Sequence, residues 1–269
     1  MDFAVINSDL SYWKKQLTPL FPDLSWNIPE QKTGSTNIIG GNAQGFATTI
    51  RISEFLASHY PLRTVKVTLP DSLKKSLPVS ANINFTPSTE SGSFAKSPEL
   101  NSAFASTDVN VIIGDLSKNS ATAIAISDAI KKSPDKLYAI SRDAVDLLAT
   151  EMDTLLELPR IFIIATMPQL QKIFRAVYYP KMILLSQPII PTIESLHKFT
   201  LSFPATILTF HQDQIIVANG GHITTTPINT TSYSPLNLWN GQLTAHITAM
   251  NFFNPSQPLA ATTAAILQK

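Results

Sequence analysis

Val109-Asn110-Val111-Ile112-Ile113-Gly114 is the stretch that most limits what this chain can become. It is short, nearly continuous in apolar β-branched residues and closed by glycine. Such a run reads as a strand buried on both faces, and strands of that kind belong to parallel sheets covered by helices. Arg160-Ile161-Phe162-Ile163-Ile164-Ala165 repeats the pattern. Between and around the two runs, helical stretches alternate with further strands. Asn37-Ile38-Ile39-Gly40-Gly41 leads into a helix over Ala43 to Tyr60, which Pro61 stops, and Arg63 to Leu69 is the next strand. A strand, a helix and a second strand in that order are the seed of a parallel α/β sheet.

The same reasoning assigns the rest. Ser8 to Leu17 is expected to be a short helix, with Ser8 as N-cap and Leu10, Trp13 and Leu17 at helical spacing. Asp71 to Leu77 is a short helix, Ile83 to Phe85 a strand and 86–97 an exposed loop. Helices are expected over Ser120 to Lys132, Arg142 to Ala149, Pro168 to Val177 and Ile193 to Leu201, with a strand over Leu137 to Ile140. Residues 178–190 fit neither pattern. Ala205 to Phe210, Gln214 to Ala218 and His222 to Thr226 form three strands, the last two joined by the hairpin turn Asn219-Gly220-Gly221. Gln242 to Phe253 and Leu259 to Gln268 close the chain as helices. The class is α/β, mostly parallel, with helices on both sheet faces and antiparallel strands near the C-terminus.

Composition excludes several functions. A chain of 269 residues that is 44% hydrophobic and 14% charged can bury a large core. A net charge of +1 without a basic block gives no support for nucleic-acid or membrane-surface binding. The sequence has no cysteine, which rules out disulfides, thiol nucleophiles and thiolate metal sites. There is no basic and apolar leader pattern and no run of about 18 apolar residues, so the cytoplasm is the default expectation. Asn84-Phe85-Thr86 and Asn229-Thr230-Thr231 match glycosylation sequons, which mean nothing without export. Nine glycines against 19 prolines leave little for phosphate-cradling loops, where only glycine lets N–H groups close on an anion.

The candidate site residues each carry two readings. Gly40 to Gly45 has the outer spacing of a P-loop, but Phe46-Ala47 follows in place of Lys and Ser, which leaves a tight strand-to-helix turn or a backbone contact to ligand. Asp143 binds a ligand or metal, or caps the helix that begins beside it. Asp115 ends a strand, where open α/β sheets place ligands, or caps the helix starting near Asn119. His211-Gln212-Asp213 looks like a hairpin turn, and the five histidines show no metal spacing. His246 lies one helical turn after Gln242, so the two can face one pocket or His246 can be a packing residue. No Gly-x-Ser-x-Gly elbow is present. Trp13, Trp26 and Trp239 read as packing residues, with Trp239 also placed to wall a pocket.

In this order the pieces resemble the ribokinase-like fold. More narrowly they resemble the ATP- or ADP-dependent NAD(P)H-hydrate dehydratases, a carbohydrate-kinase-like family, over roughly residues 25–269. The family's Lys-Gly element and Gly-Gly-Ser turn match Gln31-Lys32-Thr33-Gly34 and Ile38-Ile39-Gly40-Gly41-Asn42. Its Gly-Pro-Gly-Leu-Gly turn matches Ile113-Gly114-Asp115-Leu116-Ser117, and its Asp-Ala-Asp-Ala-Leu segment matches Ser141-Arg142-Asp143-Ala144-Val145. Its Thr-Pro-His-Pro-Gly-Glu turn matches Ala165-Thr166-Met167-Pro168-Gln169-Leu170, and its Leu-Lys-Gly strand matches Leu208-Thr209-Phe210. Its terminal Gly-Thr-Gly-Asp matches Trp239-Asn240-Gly241-Gln242.

The resemblance implies a three-layer sandwich formed by one domain over 1–269, with 1–35 as N-terminal helix and lead-in. It implies ATP or ADP with magnesium as cofactor, a nucleotide or dinucleotide ligand, and a homo-oligomer. The ligand-facing residues would be Gly40, Gly41, Asn42, Asp115, Asp143, Trp239, Asn240, Gly241 and Gln242. The departures are systematic. Gln242 replaces the aspartate expected as base, and glutamine takes no proton at neutral pH. Thr209 replaces the phosphate-site lysine, Met167 and Leu170 replace the His and Glu of the third turn, and Asp115 puts a carboxylate near the expected phosphates. These changes imply a catalytically impaired homologue that keeps nucleotide or small-molecule binding. A working dehydratase or small-molecule kinase on other residues is the alternative.

Overall fold

The computed structural model describes residues 11–15, 27–77, 80–228 and 240–267. The described strands form one sheet: β1 (Trp13–Lys15), β2 (Thr33–Gly40), β3 (Leu62–Pro70), β4 (Ile83–Thr86), β5 (Val109–Gly114), β6 (Leu137–Ser141), β7 (Ile161–Ile164), β8 (Thr206–His211), β9 (Gln214–Asn219) and β10 (His222–Pro227). Their spatial order is β1-β10-β9-β8-β7-β6-β5-β2-β3-β4. Every pairing is parallel except the two made by β9, which runs against β8 and β10. The expected class holds: a mostly parallel sheet with antiparallel strands toward the C-terminus.

Nine helices accompany it among the described residues: α1 (Ala47–His59), α2 (Pro98–Ala105), α3 (Ser120–Lys131), α4 (Asp143–Leu147), α5 (Met152–Leu155), α6 (Met167–Ala176), α7 (Ile189–Ser202), α8 (Gln242–Phe253) and α9 (Pro258–Leu267). Strand alternation sorts them onto two faces. Val109, Val111 and Ile113 turn toward Ile52 and Leu56 of α1 and the apolar residues of α8 and α9. Ile112 turns the other way, with Ile140, Ile163 and Ile207, onto α2 through α7. The one polar residue inside β5, Asn110, is fully buried and donates to the Phe104 carbonyl at 3.0 Å. A buried amide needs such a partner, and this bond ties the strand to the end of α2.

Two expectations at the level of elements fail. The helix expected over Ser8 to Leu17 is replaced, where described, by β1; Ser8 and Leu17 themselves lie outside the described residues. Trp13 pairs with Ile223 across a parallel ladder, and its indole N–H donates to Thr225 Oγ1 at 3.0 Å. A partner more than 200 residues away decides the conformation, which no local periodicity reveals. The helix expected over Asp71 to Leu77 is a single 3-10 turn, Asp71–Leu73. The helix expected from Ile193 begins earlier, at Ile189, because Pro191 falls in its first turn, where its missing N–H costs nothing.

The expected hairpin is present at Asn219-Gly220-Gly221, with φ of +54° at Gly220 and +79° at Gly221. A side chain at Gly220 would meet nothing, whereas at Gly221 it would come 2.6 Å from Leu201 Cδ2. Gly220→Asn is therefore expected to change stability by about 0.5 kcal/mol or less, and Gly221→Ala to cost about 1 kcal/mol. Urea denaturation of the two variants checks the order.

Candidate functional site

At the C-terminal end of the sheet the ends of β2, β5 and β6 meet near the N-terminus of α8. The Gly41 N–H donates to the Gly114 carbonyl at 2.9 Å, which locks the ends of β2 and β5 together. Thr244 of α8 donates to Ser141 Oγ at the end of β6, at 3.1 Å. Open α/β sheets bind ligands along such an edge.

Asp143 organises this edge. Its Oδ1 accepts from the Asp115 N–H at 3.1 Å and its Oδ2 from the Leu116 N–H at 2.9 Å. Burial pushes its carboxyl above the usual carboxylate range, against the opposing pull of the two N–H groups and of Arg142. Gly114 sits at φ +139°, and a Cβ there would collide with Asp143 Oδ1, so glycine is required. Of the two sequence readings of Asp143, the geometry shows a carboxylate held by backbone N–H groups. These lie at the start of the loop after β5, not on the helix that Asp143 begins.

Arg142 and Asp115 face each other with unusual backbones. Their φ angles are +57° and +55°, a left-handed region that costs a non-glycine residue about 1 kcal/mol or more. Arg142 Nη2 reaches Asp115 Oδ1 at 3.3 Å, with the arginine side chain 11% exposed and the aspartate 25%. Gln169 holds the strained arginine: its Nε2 donates to the Arg142 carbonyl and to Asp146 Oδ2, both at 2.7 Å, while its Oε1 accepts from the Thr166 N–H at 3.0 Å. Asp115 is thus an ion-pair partner and does not cap α3; Asn119 does, accepting from the Ala121 N–H at 2.8 Å. Sequence reasoning missed Arg142 and Gln169. The sole hint was an arginine between a strand end and an aspartate.

The remaining candidates are placed as follows. Asn42 closes a tight turn, its Oδ1 accepting from the Gln44 N–H at 2.6 Å, and Asn42 bridges to Gly45 in antiparallel fashion. Gly241, at φ +79°, packs against Ile52 and Ile113. Asn240 Oδ1 accepts from the Gln242 N–H at 3.0 Å and so takes one of the donors at the start of α8. Trp239 lies outside the described residues. Met167 and Leu170 are buried in the core under α6, and Thr209 is fully buried with no partner for its hydroxyl among the described residues.

His246 does not join Gln242 in a pocket. It is 9% exposed, its Nδ1 is 2.7 Å from the Tyr60 hydroxyl, and its ring meets Phe55 edge-on at 4.8 Å. Burial, with His59 nearby, pushes its pKa down to about 4. The other histidine candidate, His211, bonds the Gln187 carbonyl through Nε2 at 2.8 Å. No group of three His, Asp or Glu side chains suited to a metal occurs among the described residues, and no described helix is long and apolar enough to cross a membrane.

No family model matches the sequence, and no curated protein does. Solved structures do match in shape. A ribokinase-like superfamily protein from Enterococcus faecalis shares 12% identity over 97% of this chain and 87% of its own, with a TM-score of 0.65. YxkO of Bacillus subtilis, a member of the UPF0031 family, shares 13% identity over 91% and 84%, with a TM-score of 0.59. Pyridoxal kinase of B. subtilis, solved as an ADP complex, shares 11% identity over 87% and 89%, with a TM-score of 0.51. Identities this low speak to architecture alone, and on that evidence the chain has the ribokinase-like fold.

Proposed function

We propose that this protein is a noncatalytic, nucleotide-binding relative of the ATP- or ADP-dependent NAD(P)H-hydrate dehydratases. The observation that carries the reading is Gln242 at the first position of α8. There the resemblance expects an aspartate to remove a proton, and an amide cannot. The nearby carboxylates do not replace it. Asp143 is occupied by two backbone N–H groups and Asp115 by Arg142. Binding is supported separately. A helix of 12 residues begins after a left-handed glycine at this edge, so its N-terminus carries partial positive charge toward any phosphate laid there. Among the proteins of like fold, one was solved with ADP and another, a Staphylococcus aureus pyridoxal kinase, with AMP-PCP and pyridoxal.

The test is a thermal-shift panel of ATP, ADP and NADPH with magnesium, run beside an assay for recovery of NADH from its hydrate. At about a hundredfold excess over Kd, a bound nucleotide is expected to raise Tm by about 5 °C, with no hydrate turnover. Turnover with ATP or ADP would overturn the noncatalytic part. A flat panel would remove nucleotide binding.

A further inference from the structure

One motif found in the sequence remains unused by this reading, the turn His211-Gln212-Asp213. It forms the tight β8–β9 hairpin with φ of +45° at Gln212 and +47° at Asp213. Asn-Gly is the usual solution for such a turn; here two residues with full side chains take the left-handed region instead. Gln212 thereby projects beside a cavity of about 270 Å³ at the sheet edge, bounded also by Trp13, Lys15, Gln214 and Thr225. Ile189 and Pro227 supply its apolar wall.

The cavity is separate from the edge described above. Thr225 lies on the same side of β10 as Ile223, which packs in the core under α7. Its neighbour Thr224 points to the opposite face and bonds Thr263 of α9 at 2.9 Å. The cavity thus opens on the α7 face, while α8 and its N-terminus cover the other.

Its chemistry is one-sided. Thr225 is 2% exposed; its Oγ1 accepts the Trp13 indole N–H, and its own hydrogen goes to no described residue. The half-buried Gln214 amide makes no hydrogen bond among the described residues. Lys15, two residues along β1 from Trp13 and so on the same strand face, sets its ammonium 4.6 Å from the centre of the indole ring. Among the described residues that line the cavity, Lys15 carries the only charge. An ammonium, a hydroxyl and an amide therefore line one cavity with an indole, and none of its described lining residues is a carboxylate. A volume near the lower end for small-molecule sites admits about one ring with a substituent.

The geometry points to a second small-molecule site at this sheet edge, formed by Trp13, Lys15, Gln214 and Thr225, for a small planar ring that bears a carboxylate. The ring takes the space beside Trp13, and the carboxylate draws the Lys15 ammonium off the indole face and takes the two polar donors. A charge-assisted bond of this kind separates the carboxylate from its neutral amide by roughly tenfold or more in affinity.

The experiment uses the full chain and ligand-observed NMR with benzoate and nicotinate, against benzamide and nicotinamide. Saturable transfer to both carboxylates is expected, with mutual competition and roughly tenfold weaker binding of the amides. Lys15→Met, at an exposed side chain, should weaken benzoate binding about tenfold, and Gln214→Leu should weaken it as well. In a Trp26→Phe, Trp239→Phe chain, Trp13 is the one remaining indole, and benzoate should quench it with the same midpoint. No saturable transfer at millimolar carboxylate would overturn the site. So would unchanged affinity in Lys15→Met, or benzoate binding without any change in Trp13 emission. Displacement of benzoate by magnesium ATP would show a single shared cleft and equally overturn a second site. The nucleotide panel reads the α8 edge, so the two proposals fail independently.

Discussion

Asp143→Ala is expected to lower the unfolding free energy by about 3 kcal/mol, read as a fall in the urea midpoint at unchanged slope. The carboxylate accepts two backbone N–H groups, from Asp115 and Leu116, and alanine leaves both unsatisfied in a half-buried loop. Charge-assisted bonds count for more than neutral ones, while the relief of burying a charge offsets part of their loss. The damage extends further. Asp115 would lose the anchor that keeps it at φ +55°, and its ion pair to Arg142 would loosen. Asp143→Asn separates geometry from charge. Its single oxygen can accept one N–H while its NH₂ faces the other, so a loss of about 2 kcal/mol is expected, between alanine and wild type. If Asp143→Ala unfolds at the wild-type midpoint, the carboxylate does not hold the loop.

Much of this architecture can be read from residues alone, because it rests on burial patterns that repeat locally. Val109 to Gly114 and Gln242 to Phe253 have the bounds that the pattern predicts. The hairpin at Gly220-Gly221 follows from turn chemistry. Local signals stop where a partner is distant. β1 has three residues, and its ladder to β10 exists only after the rest of the sheet is built. In the sequence, the spacing of Leu10, Trp13 and Leu17 imitates a helix. The site divides in the same way. Asp143 is visible as a candidate because a carboxylate after a strand is informative. What it binds depends on the left-handed backbones of Asp115 and Arg142 and on Gln169 across two loops, none of which has a spacing rule. His246 shows how structure decides between two readings that spacing leaves open. Helical spacing puts it one turn from Gln242, but Phe55 of α1 and Tyr60, the residue that caps α1, claim the ring.

That claim on His246 predicts a pH dependence of stability. The ring is held neutral in the folded protein, with a pKa of about 4, whereas an unfolded histidine titrates near 6.5. As pH falls from about 6.5 to about 4, the unfolded chain takes up a proton that the folded chain refuses, so stability falls across that window. The contribution is complete above the unfolded value and gone below the folded one. The ring keeps some contact with solvent, so about 2 kcal/mol is the expected loss, less than the full shift would give. Other groups titrate in the same range, and a difference measurement isolates this one. His246→Phe preserves an aromatic edge against Phe55 and removes the titration. Its deficit relative to wild type, read from urea midpoints, should shrink by about 2 kcal/mol between pH 7.5 and pH 4.5. A parallel shift of both proteins over that range would mean that His246 titrates normally. A folded-state ring titration by NMR with a midpoint above 6 would say the same. A depressed midpoint would establish that this histidine serves the α1–α8 interface through its neutral form, and that the helix bearing Gln242 is fixed by packing one turn from its N-terminus.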